Sequence, residues 1–234
     1  MFAIRASYRG RSRRRGAYVR DVAEALGKSP AVLSEEVLGI EDFVCVVPGP
    51  EEAGGVVMSL LQAGDFAIGI GAIADQSAVA SEKETGHTTH AARAQELDHE
   101  DMDAEVYSAE VQKECMGAAN RALGEKQRAN MVSVRIEKPG PGGVMAPGKA
   151  AEIGEDIAAA FTLLAHVLSR RTKEGREATA MLRAGHLQSE AAELVGITKQ
   201  AMSQRLAAAG WQAEQAGWNL AVHMLARIDE LPAE

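Results

Sequence analysis

The 234-residue chain is predicted to be an α+β protein, a β-α-β-β-α-β sandwich followed by an all-α domain. Strand and helix signals alternate over residues 1–138, which is typical of a sheet covered by helices. Proline and glycine then crowd residues 139–150, a composition that interrupts regular structure. From 151 to 234 the apolar residues recur at helical spacing. We therefore expect two domains joined by a linker at 139–150.

The strands of the first domain are predicted from short apolar runs bounded by turn residues. GIED separates two such runs and predicts a hairpin, and FAIGIGAI alternates with glycine as a buried strand can. The expected strands are 2–8, 32–38, 43–47, 66–73, a brief 104–107 and a closing 131–136, and the expected helices are 17–26, 51–62, 90–97 and 108–128. We expect one antiparallel sheet with helices packed over it.

The second domain is predicted to be helical throughout. A continuous apolar stripe runs through 152–169, and Thr172 can cap a second helix that ends near Arg183. A last long helix is expected at 211–231, after Gly210. Such flanking helices pair with their own domain or, less often, with a second subunit, and the sequence leaves both open.

Between these helices, the segment QSEAAELVGITKQAMSQRL predicts a DNA-binding helix-turn-helix over Gln188–Leu206. Ala192 is small where two helices must approach closely. Gly196 can leave the first helix through a left-handed conformation, and Thr198 can cap the second helix. An ordinary amphipathic hairpin is the alternative, but the small residue, the glycine and an acid-free polar face coincide here.

Polar side chains of the second helix are predicted to contact DNA. Lys199, Gln200, Ser203 and Gln204 share one face, and their donors suit base edges and phosphates. Basic residues just before the motif are expected to anchor the DNA backbone. The predicted DNA-binding residues are therefore Thr198, Lys199, Gln200, Ser203, Gln204, Arg170, Arg171 and Lys173.

Composition limits the classes of protein to consider. The net charge is −8, so a DNA-binding protein of this composition must concentrate positive charge locally, because phosphate attraction is screened within roughly 10 Å. Cys45 and Cys115 form neither a metal motif nor a disulfide framework and suggest buried, reduced thiols. No apolar run is long enough for a membrane span. We expect a soluble cytoplasmic protein without metal or cofactor.

Three segments of the first domain resemble motifs of class III nucleotidyl cyclases. They are ASYRG at 6–10, IEDFVCVV at 40–47 and GHTTHAAR at 86–93, in the order and spacing of that family. FAIGIGAI also resembles the family's fourth strand. Over the whole chain, the combination with a helix-turn-helix resembles the bacterial SatD-like proteins. The resemblance implies a ferredoxin-like, cyclase-like sandwich, and cyclase domains tend to pair head to tail.

Departures from the cyclase pattern argue against catalysis. Cyclases use two carboxylates to hold two metal ions. The resemblance places Ser7 at the first of these positions and Glu41, with Asp42 beside it, at the second. Thr89 replaces the ribose-binding asparagine, and only Arg93 matches the family's transition-state arginine. We therefore expect no enzymatic activity and a front domain used for sensing or dimerisation.

The loop after the first strand is unusually basic. Because guanidinium groups match phosphate oxygens, arginines there could neutralise a nucleotide or another anion in place of metals. The candidate phosphate-binding residues are Arg9, Arg11, Arg13, Arg14, Arg15 and Arg93. Contact with DNA phosphates and a solvated basic loop are the two alternatives.

Together these observations predict a DNA-binding transcriptional regulator with a non-catalytic front domain. Its partner is double-stranded DNA, and a homodimer is expected because one recognition helix reads too few base pairs. The alternative is a nucleotide-binding enzyme of the cyclase type with an accessory helix-turn-helix tail. A further alternative is a helix-turn-helix that binds protein.

Overall fold

A computed structural model describes residues 1–74, 96–124, 127–140, 142–228 and 231, and only the backbone of 96–108. Within these residues the chain forms one five-stranded sheet and eight helices, so the predicted α+β class is confirmed. Most of the helix predicted at 90–97 lies outside the described residues. No helix among the described residues is long and apolar enough to cross a membrane.

The sheet has the strand order β2-β3-β1-β4-β5. Its strands are β1 (Phe2–Tyr8), β2 (Ser34–Val37), β3 (Asp42–Val47), β4 (Phe66–Ile73) and β5 (Val132–Glu137). The hairpin, β1–β3 and β1–β4 pairs are antiparallel, but β4 and β5 are parallel. The prediction of a wholly antiparallel sheet is therefore wrong at β5. A helical crossover between β4 and β5 returns the chain to the starting end of β4, as parallel pairing requires.

The helices differ from the prediction chiefly after β4. They are α1 (Arg15–Gly27), α2 (Pro50–Ala63), α3 (Glu96–Ala122), α4 (Lys149–Ser169), α5 (Lys173–Arg183), α6 (Gln188–Val195), α7 (Lys199–Ala208) and α8 (Trp211–Ala226). The brief strand predicted at 104–107 is wrong, because α3 runs through it without interruption. Its sequence, AEVY, is too short to set a strand period, and it lies among residues that favour helices.

One face of the sheet is covered by α3, which approaches the backbone of β4 closely. A Cβ atom on Gly71 would lie 2.1 Å from the Ala119 nitrogen and 2.3 Å from the Cys115 carbonyl oxygen. A Cβ atom on Gly69 would likewise lie 2.7 Å from the Ala119 carbonyl oxygen. The glycines of FAIGIGAI therefore admit a helix against the strand, a use of glycine that its alternation alone does not specify.

The opposite face carries one continuous core, to which α2, α4 and α8 all contribute. Gly154 of α4 lies beside Val134, and the Trp218 ring of α8 packs on Gly54 of α2. Residues on both sides of the predicted linker 139–150 therefore share this core. The boundary at 139–150 stays a prediction, but it does not coincide with a break in the packing. Helices α5–α7 have a small core of their own.

Candidate nucleic-acid interface

A tight turn of three residues separates α6 from α7. Gly196 ends α6 in the left-handed region, with φ of 71°, and the next residue, Ile197, donates its N–H to the Ala192 carbonyl oxygen at 3.0 Å. Thr198 then begins α7, and its hydroxyl accepts a hydrogen bond from the Ala201 N–H at 3.1 Å. The turn satisfies backbone groups that both helix ends would otherwise leave without partners.

The three helices α5–α7 are held together by a compact apolar cluster. Its buried members are the small residues Ala178, Ala191 and Ala192 and two larger side chains of α7, Met202 and Leu206. The small side chain of Ala192 lets α6 lie close to α7, as expected from the sequence. The opposite face of α7 is thereby left in solvent.

A larger residue in place of Ala192 should destabilise the helical unit formed by α5, α6 and α7. We expect Ala192→Leu to lower the free energy of unfolding by about 1–3 kcal/mol, because added methylene groups in a packed cluster force neighbours apart. Chemical denaturation followed by circular dichroism measures the change. Ala207→Leu is the matched control, since Ala207 is exposed on α7. Equal stability of the two variants would contradict the packing described here.

The solvent face of α7 carries the four predicted contact residues. Lys199, Gln200, Ser203 and Gln204 are all exposed, and Arg205 is half-buried at the edge of this face. The sequence did not predict Gln188 as part of this surface. Its side-chain amide donates a hydrogen bond to the Lys199 carbonyl oxygen at 3.4 Å. Its place as the first residue of α6 is the signal that could have found it. The resulting surface is polar, contiguous and free of acids along α7.

The predicted backbone anchors do not share one environment. Arg171 is only 6 % exposed, and its Nε donates to the Ala209 carbonyl oxygen at 2.7 Å. Its Nη2 lies 2.6 Å from Glu214 Oε2, an ionic contact without hydrogen-bond geometry. The guanidinium is held inside the fold, which disfavours the DNA contact predicted for Arg171, and that contact stays a prediction. Arg170 is exposed, and its Nη1 donates to His166 Nε2 at 3.2 Å.

Lys173 is exposed at the start of α5, close to the far end of α7. The pKa of Glu174 is lowered, first because its carboxylate accepts a hydrogen bond from its own backbone N–H, then because it accepts one from the Thr172 hydroxyl. The charges of Arg205 and Lys173 lower the same pKa further. Lys173 and Arg205 therefore both act on the carboxylate of Glu174, at the start of α5.

A buried carboxylate joins the helical unit to α8. Glu214, 2 % exposed, contacts Arg171 and also accepts a hydrogen bond from Arg183 Nε at 2.8 Å. The Arg183 guanidinium also lies 5.9 Å from the centre of the Trp211 ring, within cation–π distance. These contacts fix the end of α4, α5 and α8 relative to one another. Arg183 therefore acts in positioning rather than as a free cation.

In the front part of the chain, residues 1–138, the two acids that the cyclase resemblance aligns with a metal-binding position are paired with arginines. Glu41 contacts Arg9 at 3.3 Å and Arg15 at 3.0 Å, and Asp42 contacts Arg5 at 3.1 Å. Ser7 lies opposite Asp42 in the β1–β3 register and is fully buried. Its hydroxyl has no hydrogen-bond partner among the described residues. Within these residues, no three His, Cys, Asp or Glu side chains are grouped so that they could hold a metal ion.

The basic loop is only partly free to bind an anion. Arg9 is half-buried, and besides Glu41 it donates to the Tyr8 carbonyl oxygen at 2.8 Å and to Gln127 Oε1 at 2.5 Å. Exposed guanidinium groups around the start of α1 belong to Arg11, Arg13, Arg14 and Arg15. Arg93 and Thr89 lie outside the described residues, so the predicted role of Arg93 stays a prediction.

Both thiols are predicted to be unreactive in the folded protein. Burial, and secondarily the charge of Glu35, raises the pKa of Cys45 to about 12, and burial raises that of Cys115 to about 11. At pH 8 only about one thiol in a thousand or fewer is then a thiolate, the nucleophilic form. Ellman's reagent should therefore label neither cysteine in native protein and both in denaturant. Rapid labelling without denaturant would contradict their burial.

No family model, curated protein or solved structure was found to match the chain.

Proposed function

We propose that this protein is a DNA-binding transcriptional regulator and that α6–α7 form its helix-turn-helix. The observation that carries the proposal is the solvent-exposed, acid-free polar face of α7, set at a tight turn after α6. A helix presented in this way fits the major groove of B-form DNA. The net charge of −8 makes the absence of acids from α7 significant, because acids on this helix would repel the phosphates.

The contacts divide into base readers and phosphate anchors. Lys199 and Gln200 occupy the first turn of α7, and Ser203 and Gln204 follow one turn later on the same face. Gln and Lys side chains donate to base edges, and Gln can pair with adenine through two hydrogen bonds. Lys173 and Arg205 are the proposed phosphate anchors at the other end of α7.

The front part serves this regulator as a non-catalytic sensing or dimerisation domain of the ferredoxin-like, cyclase-like type. Support for the type comes from the order β2-β3-β1-β4. Support for the loss of catalysis comes from Glu41 and Asp42, whose charges are neutralised by arginines. Ser7 cannot supply the other carboxylate that a two-metal reaction needs.

Selection of bound fragments from the source genome tests DNA binding and yields the operator. We expect enrichment of a small set of fragments, with affinity that falls steeply as salt increases, because phosphate contacts release counterions. Absence of binding at low salt would disprove the regulator proposal. Binding of a protein instead, through the same face, would favour the interaction module.

The enzymatic alternative is tested by incubation with ATP or GTP and magnesium or manganese. We expect no cyclic nucleotide, because Glu41 is held by two arginines and Ser7 carries no charge. Formation of a cyclic product that disappears in Glu41→Ala would overturn this expectation. A thermal shift with ATP but without turnover would favour an anion-sensing role for Arg11, Arg13 and Arg14.

A further inference from the structure

An exposed stripe on α4 carries an apolar residue between opposite charges. Asp156, Leu163 and Arg170 are spaced seven residues apart, nearly two helical turns, and therefore share one face. Arg170 directly follows α4 and keeps a helical backbone conformation. All three are exposed, and the exposed fraction of Leu163 is 66 %. Seven residues correspond to about 10 Å along the axis, so the two charges lie at equal distances on either side of Leu163.

The neighbouring helix α8 widens the apolar part of this stripe. The two helices are antiparallel, since Val167 lies beside Gly210 and Leu164 beside Gly217. Leu220, about one turn beyond Gly217, is 50 % exposed. Leu163 and Leu220 therefore lie at a similar height along the two helices. We call the surface made of Asp156, Leu163, Arg170 and Leu220 the α4–α8 face.

The charges of the α4–α8 face have no strong partner among the residues that the structure describes. Among the described residues, Asp156 forms no ion pair, and the guanidinium of Arg170 forms its hydrogen bond with the ring of His166. Both charges therefore remain available to a second molecule. An exposed leucine pair between them supplies apolar area that gains from removal of water.

We infer that the α4–α8 face is the surface through which two copies of this chain dimerise. A two-fold axis through Leu163 sets α4 of one copy antiparallel to α4 of the other. Arg170 of each copy then lies opposite Asp156 of the other, and the leucines meet at the axis. A parallel arrangement would instead oppose like charges, so the pattern also selects the orientation. The inference does not depend on DNA binding.

Charge reversal tests the inference on the full chain in the absence of DNA. Sedimentation should find a dimer for the wild-type protein. Asp156→Arg and Arg170→Asp should each raise the dimer dissociation constant at least about tenfold, because each change opposes like charges twice. The double variant Asp156→Arg/Arg170→Asp restores both opposite pairs and should regain the dimer. Circular dichroism confirms that each variant is folded.

Two exposed leucines, one inside the α4–α8 face and one outside it, test the apolar contribution. Leu163→Glu should produce a monomer, whereas Leu194→Glu should not, although Leu194 on α6 is 65 % exposed. A wild-type monomer, or folded charge variants that sediment as wild type, would overturn the inference. Failure of the double variant to recover would do the same. So would an Arg170→Asp protein that loses DNA affinity while its sedimentation is unchanged, since Arg170 would then be a phosphate contact.

Discussion

Replacing Lys199 and Gln200 together by alanine is expected to weaken specific DNA binding strongly without unfolding the protein. Both side chains are exposed in the first turn of α7, so their loss leaves the apolar cluster beneath them unchanged. A good side-chain pair with a base contributes about 1–3 kcal/mol. We therefore expect affinity for the selected operator to fall on the order of a hundredfold, whereas binding to unrelated sequences changes less.

The chain offers a control with the same residue types. Gln112 and Lys113 are adjacent on α3, away from α7, and Lys113 is exposed. Gln112→Ala/Lys113→Ala removes the same charge and the same amide, and should leave operator affinity unchanged in a band-shift titration. Equal losses in the two double variants would mean that α7 does not read DNA, and the regulator proposal would fail at its central step.

Replacing Glu214 by glutamine is expected to cause the largest loss of stability. Glu214 and Arg171 are each 2 % exposed in their side chains and lie 2.6 Å apart, while Arg183 contacts the same carboxylate. Removing the negative charge leaves a buried guanidinium without compensation, which typically costs about 3–5 kcal/mol. Denaturant unfolding followed by circular dichroism measures this cost. DNA affinity should fall as well, because α5 loses its attachment to α8.

Two controls separate the effect of Glu214→Gln from a general loss of charge: a variant of an exposed ion pair, and a double variant that replaces both buried partners. The Lys28–Glu24 pair is exposed on α1, so Glu24→Gln should leave stability measurably unchanged. Replacing both buried partners, in Arg171→Met/Glu214→Met, should recover part of the stability lost in Glu214→Gln. The double variant removes the Arg171 guanidinium that Glu214→Gln leaves as a lone buried charge. A Glu214→Gln protein as stable as wild type would show that the buried ion pair contributes little.

Arginines near α7 and in the first part of the chain pair with carboxylates. Near α7, Arg171 and Arg183 hold helices together through Glu214, whereas Lys173 is exposed at the start of α5. In the front part, Arg9 neutralises Glu41 beside buried Ser7. Glu41 and Asp42 are thus both held in ion pairs with arginines.

Local patterns in the sequence were sufficient for most elements of the fold. Strand Phe66–Ile73 matches its prediction at both ends, and the turn at Gly196 with its Thr198 cap matches as well. These features depend on side-chain period, on left-handed backbone and on capping, all of which are decided within a few residues. The same local reasoning failed at 104–107, where the helical context of α3 outweighs a brief apolar run.

The residues alone determine the α+β class, the two helices joined by a tight turn over 188–206 and the outward face of α7, because each follows from short-range periodicity. Only the tertiary structure decides that β5 runs parallel to β4, that α4 and α8 complete the core of the front part, and that Arg171 is buried rather than free. Charge and spacing do not reveal whether an arginine meets Glu214 from 43 residues away or solvent. That outcome depends on packing between distant segments, which no local pattern records.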